Sequence, residues 1–286
     1  MKDEDYPALY RAGDRLASKA QTHFFKVLFL NLFLLVIAAT LSVFDLPLVE
    51  IAYAQATVLL LSLGCALYLG FARPERIWYG GRALAESIKT VTWRYMMRAE
   101  PYNVPDAQAR LAFIEVLAKL RGSNTEISKK LLDESMSYQV TNFMVSTRAL
   151  SFSKRKEFYL QGRICDQLNW YQGKARANDR AATIFFVVLC AANIIAIGLA
   201  LSRIKYSDEQ FWPTDIAIAI AGALLAWTQA KRYRELSASY ALTAQEISLI
   251  REQLFNVSGD AKFSHFVGDA ENAFSREHTQ WVARRD

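Results

Sequence analysis

The stretch FFKVLFLNLFLLVIAATLSVF, Phe24–Phe44, contains 21 residues and a single charge, Lys26, close to its start. A helix of this length rises about 31 Å, which is enough to cross the hydrocarbon core of a bilayer. Lys26 lies near enough to the end of the stretch for its ammonium group to reach the membrane surface. The stretch therefore predicts a transmembrane helix, and the rest of the chain has to be interpreted with a membrane as part of its environment.

Three further apolar stretches follow in the 286-residue chain. Those at 51–71 and 181–201 contain no charged residue. The fourth is shorter, but Trp212 and Trp227 flank it at positions that suit aromatic anchors in the membrane interface. The sequence therefore predicts four spans, at about 24–44, 51–71, 181–201 and 212–229, arranged as two hairpins. Because apolar residues are concentrated in this way, the ordinary average composition (52% hydrophobic, 22% charged) conceals a membrane protein and excludes a soluble globular enzyme.

Lysine and arginine residues are distributed unevenly between the connections. Four precede the first span, none lies between the first and second, nineteen lie at 72–180, two separate the third and fourth, and eight follow Gln229. The positive-inside rule therefore predicts a multi-pass protein of the bacterial inner membrane with both termini in the cytoplasm. The net charge of +6 is explained by this topology and by anionic lipid headgroups, so no nucleic acid partner is expected.

Polar helices are predicted before and after each hairpin, so the chain is predicted to be one unit used twice. The first unit spans 1–105, a helical linker spans 106–150, and the second unit spans 151–286. Residues in the polar flanks recur every three or four positions, as at Thr90, Trp93 and Met97, which places them on one helix face. The predicted fold is all-α: a four-span protein whose two transmembrane hairpins extend into a cytoplasmic coiled-coil-like bundle.

Charged residues share the predicted packing face with aromatic ones. Before the third span, Tyr159, Arg163, Asp166, Trp170 and Lys174 are spaced by three or four residues. Arg163 and Asp166 are predicted to form a buried pair that fixes the helix register. We predict that a set of flank residues couples bundle packing to the spans, with static packing as the alternative: Arg82, Glu86, Arg163, Asp166, Gln167, Trp170 and Lys174.

The sequence contains no metal-binding, phosphate-binding or nucleophile motif among its three histidines, three cysteines and glycine-rich turns. We therefore expect no enzymatic activity, no cofactor and no metal site. A last amphipathic helix is predicted at 269–285, with a structural role favoured over a reactive one for its possible motif, Glu277, His278 and Trp281. Span residues with amide side chains are expected to contribute to helix packing, or alternatively to line a pore: Asn31, Gln55 and Asn193.

Several segments resemble one protein family. Tyr159–Asn178, YLQGRICDQLNWYQGKARAN, resembles the signature of the bacterial SLATT family, whose two-transmembrane effector domains are found beside nucleotide-signalling and ligand-sensing conflict systems. Ser275–Arg285, SREHTQWVARR, is similar to the end of the same subgroup. Tyr10–Gln21 and Trp78–Tyr102 resemble a second subgroup, with Gly13 at a position where alanine is expected. The resemblance covers nearly the whole chain as a tandem pair.

This resemblance implies a membrane effector of a conflict or antiviral defence system. Such an effector is expected to form a homo-oligomer, and to open a pore or perturb the inner membrane when a cytoplasmic sensor or nucleotide-signalling protein activates it. Two alternatives stay open at this stage. One is a non-conducting scaffold that recruits a soluble effector, and the other is a membrane enzyme that uses Glu277 and His278 on lipid headgroups.

Overall fold

The computed structural model describes residues 1–43, 49–123, 125–131, 138–206 and 211–283, with side chains except at 125–126 and 276–283. Within these ranges the chain is helical and contains no strand. A short 3₁₀ turn, Asp3–Asp5, precedes the first α-helix, and a π-helical turn, Leu160–Cys165, joins the seventh to the eighth. The α-helices are α1 (Ala8–Val43), α2 (Val49–Ala72), α3 (Pro74–Met96), α4 (Asp106–Gly122), α5 (Thr125–Lys130), α6 (Asn142–Arg148), α7 (Phe152–Tyr159), α8 (Asp166–Lys205), α9 (Thr214–Lys231), α10 (Tyr233–Phe255) and α11 (Asp260–Ala283).

Three helical runs in the described ranges are long and apolar enough to cross a membrane: Ala8–Val43, Val49–Met96 and Phe152–Lys205. In their most apolar windows only 6%, 6% and 0% of the residues are buried within the protein. Exposed apolar surface on this scale is typical of helices that face lipid. The prediction of long apolar helices is thereby confirmed at three of the four predicted spans. The fourth, in α9, stays a prediction.

The chain forms two compact units that each combine distant segments. We call the first the flank unit; it comprises Met1–Gln21, Pro74–Gln172 and Leu242–Asp286. We call the second the hairpin unit; it comprises Thr22–Arg73 and Gly173–Ala241. The flank unit therefore collects the polar segments around both hairpins, and the hairpin unit collects the apolar segments.

Helix α3 forms the centre of the flank unit, because it is buried on several faces. The predicted packing positions Glu86, Thr90, Trp93 and Met97 are all buried. The start of α1 approaches α3 closely: a β-carbon placed on Gly81 would lie 3.1 Å from the carbonyl oxygen of Gly13 and 3.2 Å from the Ala17 β-carbon. The close approach of these two backbones explains why glycine is suited to position 81, whereas a β-carbon on Gly13 would make an ordinary contact, 3.5 Å from the Gly81 carbonyl oxygen.

Helix α11 packs against α3 and begins earlier than predicted. The sequence predicted a start at Asp269, after Gly268, but the helix runs from Asp260. The buried side chains Phe263 and Val267 continue the face formed by Ala270 and Phe274 toward the N-terminus. Because this apolar spacing of three and four residues is maintained, Gly268 lies inside the helix and does not end it.

The described residues of the predicted linker contain helices α4, α5 and α6. Helix α4 begins at Asp106, after Pro105 at its N-cap position. The Asp106 carboxylate accepts a hydrogen bond from Arg148 Nε at 2.8 Å. The linker belongs to the flank unit and does not form a separate unit.

Candidate functional site

The π-helical turn Leu160–Cys165 places an arginine inside the flank unit. Phe152–Lys205 is one continuous helical run, and the π-helical turn inserts an extra residue into it, as such turns frequently do at functional sites. Gly162 lies in this turn, where a β-carbon would come 3.3 Å from Cη2 of Trp93. Arg163 follows, with only 2% of its side chain exposed.

Arg163 forms a buried two-point ion pair with Glu271 of α11. Its Nε donates to Glu271 Oε1 at 2.8 Å and its Nη2 donates to Oε2 at 2.7 Å. The hydroxyl of Tyr159, one helical turn earlier, donates to the same Oε1 at 3.0 Å. Glu271 is fully buried. The carboxylate is therefore satisfied by three charge-assisted or polar hydrogen bonds, which is the condition under which a buried charge is tolerated.

Aromatic rings enclose this ion pair. The Arg163 guanidinium lies 4.9 Å from the centre of the Phe274 ring and 6.0 Å from that of Trp93, within the range of cation–π attraction. Trp93 Nε1 in turn donates to the Tyr6 hydroxyl at 3.2 Å. We call Tyr6, Trp93, Tyr159, Arg163 and Glu271 the ion-pair cluster. It joins the N-terminus, α3, the region of the π-helical turn and α11.

The environment of the ion-pair cluster shifts several pKa values. Burial alone would lower the pKa of Arg163, but the charge and hydrogen bonds of Glu271 outweigh it and raise that pKa. Burial, and then the charge of Glu271, raise the pKa of Tyr159 well above its usual value. Burial raises the pKa of Tyr6 to about 12. At neutral pH the Arg163 guanidinium is therefore charged, and the hydroxyls of Tyr6 and Tyr159 are neutral.

The Arg163 guanidinium has one further hydrogen-bond donor. Its Nη1 is buried without a hydrogen-bond partner in the described part of the structure. An unpaired buried donor is unfavourable, so the cluster is less than optimally stabilised at the residue that the π-helical turn inserts into the core.

A second charged group lies where α1 meets α3. Arg82 contacts Glu86 of the next turn at 2.7 Å and Asp14 of α1 at 3.2 Å. Lys89 lies 3.8 Å from the other oxygen of Glu86. Burial lowers the pKa of Lys89, although Glu86 opposes this shift. The structure thus brings together Arg82 and Glu86, two of the predicted coupling residues, in one part-buried network.

The predicted pair between Arg163 and Asp166 is wrong. Asp166 is exposed, and its carboxylate accepts a long hydrogen bond from Gln167, at 3.4 Å. The physical reason is the π-helical turn: its extra residue shifts the buried face, which continues through Ile164, Leu168 and Tyr171. Arg163 stays buried, and its partner comes from α11, 108 positions away.

The same shift changes the environment of other predicted coupling residues. Trp170 and Lys174 were predicted on the packing face with Asp166, but both are exposed. The Trp170 side chain retains 38% of its accessible surface and packs edge-on against Tyr171, with ring centres 4.9 Å apart. Gln167 is half-buried. Of the seven predicted coupling residues, Arg82, Glu86 and Arg163 lie in ion pairs.

The amide residues in the spans have different environments within the hairpin unit. Asn31 Oδ1 accepts a hydrogen bond from Ser62 Oγ at 2.7 Å, and Gln55 Nε2 donates to the carbonyl oxygen of Ala38 at 3.3 Å. Both bonds join α1 to α2, as expected of span packing. Asn193 is exposed and donates to the Leu189 carbonyl of its own helix at 2.8 Å. The side chains of Glu277, His278 and Trp281 lie outside the described residues.

Two buried arginines of the linker region were missed by sequence analysis. Arg148 donates to the carbonyl oxygens of Tyr95, Tyr102 and Val104 at 2.7, 2.9 and 3.0 Å. Arg155 donates to the carbonyl oxygen of Met97 at 2.8 Å and pairs with Asp260 of α11. These arginines satisfy carbonyls at the end of α3 and in the loop beyond it. No helical periodicity could have linked Arg148 to Arg155, because α6 ends at Arg148 and α7 begins only at Phe152.

Among the described residues, no group of three or more histidine, cysteine, aspartate or glutamate residues could hold a metal ion. Three ion pairs of the flank unit join elements far apart in the sequence: Arg82 with Asp14, Arg155 with Asp260, and Arg163 with Glu271. These pairs are suited to holding helices in a defined register.

The described residues define an all-helical membrane protein with a polar helical unit built around buried ion pairs. Residues 7–156 match the family described as SMODS and SLOG-associating 2TM effector domain 3, and residues 159–281 match SMODS and SLOG-associating 2TM effector domain 1. The chain belongs to the SLATT family, as a tandem of two of its effector domains. Comparisons with curated proteins and with solved structures gave no match.

Proposed function

We propose that this protein is a membrane effector of a bacterial conflict system. A cytoplasmic signal rearranges the flank unit. The hairpin units of several copies then form a pore or perturb the inner membrane. Membership of a family of two-transmembrane effector domains supports the membrane effector role. The almost complete exposure of the apolar windows supports contact with lipid and with further copies.

The observation that carries this proposal is the continuity of the helix Phe152–Lys205. This 54-residue run contains both Arg163 and an apolar window long enough to enter the bilayer. A rearrangement around Arg163 therefore acts on the same helix that contains the third predicted span. Conversion of the π-helical turn to α-helix would shift the register by one residue, and so rotate the following helix by about 100°.

The proposed topology has four spans and both termini in the cytoplasm. Helix α9 supplies the fourth span, with Trp212 and Trp227 near its two ends. The distribution of lysine and arginine supports this orientation, because the flank segments carry most of them. The flank unit is then in the cytoplasm, where it is accessible to a sensor or nucleotide-signalling protein. The proposed activity requires no catalysis and no cofactor.

The experiment is a measurement of membrane potential and dye entry in cells that express the chain alone and then with a candidate cytoplasmic sensor. We expect depolarisation that depends on both proteins. Glu271→Gln removes the charge that neutralises Arg163, so it should change the signal dependence of depolarisation. Asp166→Asn is the matched control, because it neutralises an exposed carboxylate at the end of the same π-helical turn and should behave as the parent.

Two results would contradict the proposal. Unchanged potential, despite confirmed membrane insertion and a functional sensor, would exclude a conducting effector and favour a scaffold that recruits a soluble protein. Identical responses of Glu271→Gln and Asp166→Asn would show that the ion-pair cluster has no part in activation.

A further inference from the structure

A cavity of ≈ 370 Å³ lies in the hairpin unit, where α8 faces the junction of α9 and α10. This junction is formed by Arg232, whose φ of 52° is left-handed and ends α9. Its backbone N–H donates to the Thr228 carbonyl oxygen at 2.9 Å, after which the chain continues as α10 from Tyr233. The volume of the cavity is in the range of ligand-binding sites, which is about 300–1,000 Å³.

The lining of this cavity is amphipathic. Phe186, Leu189 and Leu225 form an apolar wall, and Arg232 and Arg234 add two guanidinium groups at the helix junction. The Arg234 guanidinium lies 5.4 Å from the centre of the Phe186 ring, which holds this charge beside the apolar wall. Arg232 also pairs with the carboxylate of Glu235, which lines the cavity as well.

The neighbouring residues are those of a membrane interface. Lys231 Nζ lies 3.4 Å from the ring centre of Phe25 and 5.0 Å from that of Trp227. Tryptophan and basic side chains are characteristic of the level at which a span leaves the hydrocarbon core. In the proposed topology this is the cytoplasmic end of α9, facing the leaflet surface that carries anionic lipid.

We infer that this cavity binds an anionic phospholipid. The phosphate contacts Arg232 and Arg234, and an acyl chain lies along Phe186, Leu189 and Leu225. Guanidinium groups match phosphate oxygens through paired N–H donors, and basic pockets between transmembrane helices on the cytoplasmic side are known to take anionic headgroups. The inference rests on the proposed topology, but it requires neither oligomerisation nor conduction.

The test uses the purified full-length protein in detergent with added dioleoyl phosphatidylglycerol or dioleoyl phosphatidylcholine, and native mass spectrometry to count retained lipids. We expect preferential retention of phosphatidylglycerol. Replacing both Arg232 and Arg234 by Gln should weaken it about thirty-fold, because each basic residue near an anionic surface contributes about a 5-fold gain in binding. Arg251→Gln is the matched control, since Arg251 lies in the flank unit and pairs with Glu252.

A second variant tests the cavity separately from its charge. Leu225→Trp keeps both arginines but fills the apolar wall, and Leu225 is exposed enough to accept the larger ring. We expect it to reduce phosphatidylglycerol retention. Three results would each overturn the inference. They are unchanged phosphatidylglycerol retention in Leu225→Trp, equal retention of the two lipids by the parent, and equal effects of Arg251→Gln and the double variant. Complete displacement of the lipid by millimolar inorganic phosphate would also overturn it, because the site would then recognise phosphate alone. All of these results can be obtained whether or not the protein conducts, so they are distinguishable from failure of the proposed function.

Discussion

Removal of the Glu271 carboxylate should destabilise the flank unit strongly. Glu271→Ala deletes the acceptors for two Arg163 donors and for the Tyr159 hydroxyl. Arg163 cannot reach water without rearrangement, because only 2% of its side chain is exposed and Nη1 is already unpaired. Breaking a buried ion pair on one side typically costs about 3–5 kcal/mol. This is a large fraction of the about 5–15 kcal/mol by which a domain is stable.

The magnitude can be checked by thermal unfolding. For a unit of this size, 1 kcal/mol corresponds to about 2–4 °C, so Glu271→Ala should lower the Tm by about 6–20 °C. Intrinsic fluorescence of the detergent-solubilised protein is a suitable signal, because Trp93 lies beside the ion pair. Asp166→Ala, which removes an exposed carboxylate, is the control and should change the Tm by no more than about 2 °C, as surface substitutions usually do.

A double variant separates stability from function. Replacing Arg163 by Met and Glu271 by Leu removes both charges, and such apolar replacements of buried pairs are often neutral or stabilising. We expect the double variant to recover most of the Tm that Glu271→Ala loses. If Glu271→Ala alone has the same Tm as the parent, the burial of the ion pair that the structure shows is contradicted. If the double variant regains stability and also full signal-dependent depolarisation, the cluster is only a packing element.

Three further predictions test other parts of the structure. Gly81→Ala should lower the free energy of unfolding by about 1–3 kcal/mol, because its β-carbon would lie 3.1 Å from a backbone oxygen. Gly173→Ala, whose β-carbon would have no neighbour within 4 Å, should raise it by about 0.5–1 kcal/mol. Equal effects in thermal unfolding would contradict the close helix contact. Ser62→Ala should remove the bond to Asn31 and weaken the hairpin by about 0.6 kcal/mol in a double-mutant cycle, and zero coupling would show that the bond is absent. Burial raises the pKa of Tyr102 to about 12, so its contribution to stability is complete below its unfolded pKa near 10 and is lost as pH rises toward 12. Tyr102→Phe should therefore flatten the alkaline loss seen in unfolding curves, by roughly 3 kcal/mol for two pKa units, and an unchanged curve would refute this.

The parts of the fold that depend on local periodicity could be predicted. The spans follow from uninterrupted apolar stretches, and the buried positions of α3 follow from steps of three and four residues. The start of α11 was misplaced because Gly268 and Asp269 suggested a break, whereas the burial of Phe263 and Val267 outweighs the weak helix propensity of one glycine.

The ion-pair cluster could be predicted only in part. Arg163 was identified from its place on a packing face, but the π-helical turn changes the register at that residue and so separates it from Asp166. Its true partner is distant in sequence, and no periodicity of α8 contains that information. Glu271 carries a local signal all the same, because it lies between Ala270 and Phe274 on the buried face of α11, where a carboxylate requires a partner.

The tandem repeat and the compact units divide the chain in different ways. The two family matches separate between 156 and 159, inside α7. The flank unit, however, combines α3 of the first copy with α11 of the second, and Arg163 and Glu271 close it around Trp93. The first copy alone therefore lacks the helix that covers its central packing face. It follows that residues 7–156 expressed by themselves would expose Trp93 and its neighbours, so the two copies are expected to fold together as one protein and not as two independent effectors.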